Sequence, residues 1–286
     1  MMSVRAIRGR IKAAKNIQQI TRAMKLVSAA RLRRAQDRAL AARPYAEKMR
    51  EVMVELGRAG DLPPNPLLEK REIRQVGTLI LTSDRGLCGS FNLNVIRKAT
   101  DVLRDVDRSN ATLFCMGKRG HQFFSRRDYQ IAFADSMPNT GVTVEQAMEL
   151  TNRLRDAFES GSVDAVHLVF PKFISPLTQI PTVVQLLPIE PPVEEGDGGH
   201  SRDFLFEPPA PELLAKLLPR YLFNQVFQAL LEASASEHGA RMTAMSMASD
   251  NAGKMIKELT LTMNRMRQAS ITKEILEVVS GAEALK

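Results

Sequence analysis

The sequence predicts an α/β protein in two parts: a long antiparallel α-helical coiled coil formed by the N- and C-terminal helices, plus a central α/β domain with a mainly parallel sheet. Two observations carry the coiled coil. From Met2 to Leu56 the only helix breakers are Gly9 and Pro44, and from Arg220 to Lys286 there is no proline. At 1.5 Å per residue such helices run roughly 80 Å or more, beyond the diameter of one domain, so each needs the other to cover its apolar stripe. The third observation is the alternation of strand-like and helix-like segments between them, which indicates a parallel sheet covered on both faces. The expected boundaries are 1–57 for the first helix, 70–208 for the α/β domain and 209–286 for the last helix.

Taken in order, the first helix places Ile7, Ile11, Ala14, Ile17, Ile20, Met24 and Val27 on one seam, at steps of three and four. Ile73–Ser83 reads as a strand, Phe91–Val106 as a helix, Ala111–Met116 as a strand, Lys118–Arg127 as a short helix and Tyr129–Phe133 as a short strand. Val144–Glu159 follows as a helix and Val163–Phe170 as a strand. Leu177–Leu187 adds a further strand, and Pro181 inside it points to an edge or a bulge, because proline cannot donate to a ladder. Glu190 to Asp203 holds Pro, Gly and five acids (Glu190, Glu194, Glu195, Asp197, Asp203) and reads as a surface loop. In the last helix Met242, Met245, Ala248, Ala252, Met255, Leu259, Met263 and Met266 repeat the spacing, the methionines acting as flexible filling. Both seams are thin, so the coiled coil buries little apolar area and calls for a partner.

Composition narrows the function. With 286 residues, 44% hydrophobic, and a net charge of +8, the chain can build one real core with extensions. It holds no apolar run of membrane-spanning length, and its basic, helical start does not resemble a signal peptide, which leads us to expect a protein kept inside the cell. Cys88 and Cys115 are too few for a disulfide framework or a metal quartet. Charge is concentrated: Met1 to Arg43 carries twelve Lys or Arg against one acid, Asp37. A basic helix suits a solvated face, a nucleic-acid backbone or an acidic protein surface. Aromatic interleaving, which would favour single-stranded nucleic acid, is limited to Tyr45, so an acidic protein partner is preferred and a basic coiled coil on nucleic acid is the second reading.

Chemistry is hard to find. No G-x-x-x-x-G-K-[ST] is present, and the glycine pairs Gly86/Gly89 and Gly117/Gly120 lack dinucleotide-loop spacing, which argues against a phosphate cradle. The histidines, His121, His167, His200 and His238, are scattered, with none at ligand or triad spacing to a carboxylate. Cys88 at a helix start could be an activated thiolate, but a small residue packed beside a tight turn is the preferred reading. We expect no catalytic residue, no cofactor and no metal.

Three separated blocks carry a resemblance that covers the whole chain: residues 7–36, IRGRIKAAKNIQQITRAMKLVSAARLRRAQ, residues 82–92, TSDRGLCGSFN, and residues 241–282, RMTAMSMASDNAGKMIKELTLTMNRMRQASITKEILEVVSGA. In this order they resemble the gamma subunits of rotary F-type ATP synthases. The departures are the acidic loop 190–203, Ser90 where the family often has a small glycine, and the missing redox insert of the plastid type. The resemblance implies a rotor shaft that does no chemistry itself but couples proton flow to ATP synthesis or hydrolysis and regulates ATPase activity. It implies three alpha and three beta subunits around the coiled coil, an epsilon subunit and a c-ring at the α/β domain, and peripheral attachment to the cytoplasmic face of a bacterial inner membrane. By the same resemblance Arg22, Met24, Lys25, Arg85, Cys88, Arg267, Gln268, Thr272 and Glu274 are rotor–stator contacts. Phe204, Phe206 and Glu207 are matched to the c-ring and epsilon.

Overall fold

A computed structural model describes residues 4–58, 64–138, 140–191 and 210–283. In chain order the elements are helix α1 (Val4–Arg58), strand β1 (Val76–Leu81), helix α2 (Phe91–Val102), strand β2 (Ala111–Met116), helix α3 (Lys118–Ser125), strand β3 (Gln130–Asp135), helix α4 (Val144–Glu159), strands β4 (Ala165–Phe173) and β5 (Gln179–Leu187), and helix α5 (Ala210–Glu283). The long helices run through prolines: Pro44 lies inside α1 and Pro219 inside α5. The chain divides into two compact units, one of residues 1–27 with 242–286 and one of residues 28–241.

In the larger unit the sheet has the order β3-β2-β1-β4-β5. The pairs β1·β2, β1·β4 and β2·β3 are parallel, and β5 runs antiparallel to β4 at the edge, with Pro181 opposite Pro171. That is the edge position its proline requires. Strands β1 and β2 are buried at all six positions, as central strands covered on both faces must be. One face carries α2 and α3 over Ile80, Leu113 and Cys115. The other carries α4 together with residues 49–56 of α1 and 214–233 of α5, over Leu79, Phe114 and Leu168. Helix α4 starts at a capping box in which the hydroxyl of Thr143 accepts from the Gln146 N–H while the Gln146 side chain accepts from the Thr143 N–H. β1 is shorter at both ends than Ile73–Ser83, and Ile73 is exposed, since the ladder begins only at Val76 opposite Ala111 and Ala165.

The smaller unit pairs the start of α1 with the end of α5, antiparallel, as Gln18 donating to the Ser249 carbonyl (3.5 Å) and Lys25 donating to the Ser246 hydroxyl (3.0 Å) require. Ile7, Ile11 and Ala14 lie in the seam as expected, but Ile17, Ile20 and Val27 do not: each is more than half exposed. Within this unit the seam continues instead through Gln18 and Thr21, of which Gln18 is half-buried and Thr21 buried. Two successive steps of three, from Ala14 to Ile20, swing a position about 120° off a stripe that alternates four and three. On α5 the same correction applies to Met255, which is exposed, while Ile256 beside it is half-buried. Met245 and Ala252 are buried, and Met242, Ala248, Leu259, Met263 and Met266 are half-buried.

Candidate functional site

In a doubly wound sheet the ligand crevice lies outside the carboxyl ends of the strands where the order reverses, here between β1 and β4. Residues 82–92 form the loop that leaves β1 into α2 at this point. Ser83 anchors it: its N–H and hydroxyl both bond to the Asn92 side-chain oxygen (2.9 and 3.0 Å), and its hydroxyl lies 2.6 Å from the Arg85 carbonyl. The Asn92 amide in turn donates to the Cys88 sulfur at 3.3 Å. Leu87, with φ of 62°, and Gly89, with φ of 61°, both take left-handed backbone, which folds the loop back toward the sheet.

Helix α5 fills the crevice. Ser236 donates its hydroxyl to the Pro171 carbonyl at the end of β4 (2.9 Å), and Arg241 donates to the carbonyls of Arg85 (3.4 Å) and Gly86 (3.3 Å) after β1. Ala240 packs on Cys88 and Phe91. Gly239 lies where a Cβ would stand 3.2 Å from Pro176 Cα, so any larger residue there would push the two apart by a few tenths of an ångström. Arg241 is held from behind by Glu237 at 2.7 Å, with side chains 7% and 5% exposed. Burial drives the Glu237 carboxyl above the usual carboxylate range despite that partner.

Neither the Glu237–Arg241 pair nor the role of Ser236 was visible in the sequence, where an i,i+4 Glu/Arg spacing reads as helix surface. The family motif TSDRGLCGSFN did mark the loop. Arg85 exposes its side chain and offers only its carbonyl inward. Cys88, expected as a contact to a neighbouring subunit, is 2% exposed and has no surface to present. It is a packed thiol, and burial raises its pKa.

The other expected residues separate into two groups. Arg22 is exposed, Met24 is half-buried and Lys25 is tied across the seam to Ser246. Arg267, Gln268, Thr272 and Glu274 fall on the last stretch of α5, where every residue from Arg267 to Ala282 is exposed. There Thr272 bonds back to the Gln268 carbonyl (3.0 Å), and Glu274 accepts from Ser270 (3.2 Å). Lys273 pairs with Glu277 at 3.4 Å. Phe204, Phe206 and Glu207 lie outside the described residues.

Fold and joint together define the class of protein: an α/β domain whose ligand crevice is closed by the chain's own last helix, which also forms a coiled coil. Residues 3–285 match the family model described as ATP synthase. Gamma chains of ATP synthase from Desulforamulus reducens and Pelotomaculum thermopropionicum are each 46% identical over 286 residues, covering 100% of both chains. The chain belongs to the ATP synthase gamma chain family. Its fold is similar to that of a chain in the Euglena gracilis mitochondrial ATP synthase, with a TM-score of 0.72 at 19% identity over 99% of this chain and 94% of that one. A chain from the central stalk and c-ring of the Tetrahymena thermophila mitochondrial enzyme gives 0.59 at 23% identity, over 80% and 99%. The nucleic-acid reading finds no support among these relatives.

Proposed function

We propose that this chain is the central rotor shaft of a proton-translocating ATP synthase, a non-catalytic subunit that couples proton flow to ATP synthesis or hydrolysis. Three alpha and three beta subunits surround its coiled coil. An epsilon subunit and a c-ring engage its α/β domain, and the complex holds the chain peripherally at the cytoplasmic face of a bacterial inner membrane. Membership in the gamma chain family and likeness to rotor chains support this reading. The single observation that carries it is the stretch of α5 from Arg267 to Ala282. Every residue there is exposed, yet Ile271, Ile275 and Val278 recur at steps of four and three and are 48%, 58% and 72% exposed. A lone helix bearing such a stripe is stabilised mainly by packing, and another chain must supply it.

On this reading Arg22, Arg85, Arg267, Gln268, Thr272 and Glu274 meet the surrounding subunits directly. Met24 and Lys25 meet them beside Arg22, and Phe204, Phe206 and Glu207 face the c-ring and epsilon. Because the shaft lacks threefold symmetry, each catalytic subunit meets a different side of it, and differential contact selects between catalytic states. A charge-assisted hydrogen bond made in only one state contributes about 1.5–3 kcal/mol, and each 1.4 kcal/mol is a tenfold shift in population.

The experiment is a reconstituted complex carrying Arg267→Ala with Gln268→Ala. Alanine favours helix, so the shaft itself is preserved. Assembly and single-site ATP hydrolysis remain near wild type, whereas cooperative multi-site turnover falls at least tenfold. Equal loss in both modes, or loss in neither, would make these residues ordinary helix surface.

A further inference from the structure

Within the larger unit, a cleft of about 660 Å³ runs between α1 at residues 29–43 and α5 at residues 228–235, closed at one side by the end of β4. That is the size of a pocket for a small organic molecule. Its walls are mixed: Leu32, Leu40, Phe173, Ile174 and Ala235 give it an apolar side, and polar residues, Gln36 among them, line the rest. Leu40 and Ile174 are 58% and 54% exposed, so apolar surface continues out to the mouth.

On the α5 wall the cleft changes character. Gln228 donates weakly to one oxygen of Glu232 (3.5 Å). The remaining acceptors of the two residues, Gln228 Oε1 and Glu232 Oε2, are buried with no hydrogen-bond partner. No Lys or Arg among the described residues forms an ion pair with Glu232. Buried acceptors left unmade cost about 1–3 kcal/mol each, and more for a charged group. Both atoms are acceptor-only, so what would satisfy them is a donor, and for the carboxylate a cationic one. Their terminal torsions are broad and two-fold, so either side chain can turn an oxygen toward the cleft without leaving its rotamer.

We infer that this cleft is a binding site for a small amphipathic primary amine, whose ammonium group bridges Glu232 and Gln228 while its apolar body lies against Leu32, Ala235 and Phe173. Neither the family's coupling function nor the exposed helix end accounts for such a site. Arg33, Asp37 and Arg43 also line the cleft, from α1, and all three are exposed. Asp37 favours a bound cation and the two arginines oppose it, but charges in water are screened, so the arginines count for far less than the buried Glu232 wall.

The test uses the purified full-length chain and three probes of one shape: phenethylammonium, neutral 2-phenylethanol and anionic 3-phenylpropanoate, followed by saturation-transfer and titration NMR. Phenethylammonium binds, at least tenfold more tightly than either of the other two. Glu232→Gln weakens it at least tenfold, and Ala39→Phe, which fills the cleft from a half-exposed position on α1, abolishes binding. Circular dichroism identical to wild type shows both variants folded. Three results would overturn the assignment: no binding of phenethylammonium up to about 10 mM, equal or tighter binding of 3-phenylpropanoate, or a loss of less than tenfold in the folded Glu232→Gln chain.

Discussion

Thr82 and Gly120 are joined by a hydrogen bond from the Gly120 N–H to the Thr82 hydroxyl, 2.8 Å long and fully buried, which fastens the end of β1 to the first turn of α3. The same hydroxyl lies 3.2 Å from the carbonyls of Met116 and Gly117, and the Thr82 N–H donates to Met116 at 2.8 Å. So much polar contact in one place demands backbone approach. Gly117 provides it, with φ of +95° and no Cβ to meet the Thr82 carbonyl.

Gly117→Ala therefore destabilises the α/β domain by about 3 kcal/mol or more, since strained backbone and a clash with main-chain atoms add together. Gly120→Ala costs less, because its Cβ would meet only the Thr82 side chain, at 2.9 Å. Urea unfolding of both variants checks the order. A Gly117→Ala chain as stable as wild type would rule out the close approach.

For the buried Glu237–Arg241 pair, Glu237→Met or Arg241→Met alone leaves one charge uncompensated and is destabilising by about 3–5 kcal/mol. Changing both to Met restores a good part of that, short of the bonds Arg241 makes to Arg85 and Gly86. A double variant whose loss equals the sum of the singles would mean that the two residues act independently.

Acid sensitivity should report on Asp164. Its carboxylate accepts from the N–H groups of Gln75 (2.8 Å) and Arg74 (2.9 Å), and these bonds, with Arg71 and Arg74 nearby, hold its pKa below the ordinary value. A depressed carboxyl stabilises the fold above its unfolded pKa of about 3.9 and loses that contribution as pH falls through the lower folded value. The stability gap between wild type and Asp164→Asn is accordingly full at pH 7 and shrinks below about pH 4. A gap constant between pH 7 and the acid limit of folding would contradict the assigned bonds.

Thiol chemistry gives a simpler readout. Burial pushes Cys115 up to about 12 and raises Cys88 as well, so neither supplies thiolate near neutral pH. A disulfide reagent at pH 7.5 labels the native chain slowly and reports both cysteines at once in denaturant. Rapid labelling of one thiol in the native chain would show that Cys88 is not packed.

Much of this fold is legible in the sequence because local signals and tertiary needs agree. Thr143 with Gln146 announces the start of α4, Pro181 assigns β5 to an edge, and the β2 span is bounded by turn residues on both sides. The coiled-coil seam is misread where they disagree. Ile17 and Ile20 are the apolar residues, yet the geometry of two wound helices admits Gln18 and Thr21, and the isoleucines face outward. The joint at the crevice is the hardest to foresee. Nothing local distinguishes Glu237 and Arg241 from a solvated pair, and only the packing of α5 on residues 82–92 buries them.

An open α/β sheet of this order has one address for a guest, and in this molecule the resident is its own helix. Ser236 and Arg241 speak to the strand ends with the donors a bound phosphate or ribose would otherwise compete for. Any nucleotide seeking that place would have to evict α5, so its affinity would be set against the stability of the domain itself. The cost of admitting a guest there is thus built into the architecture, because the helix that holds the place also holds the domain together.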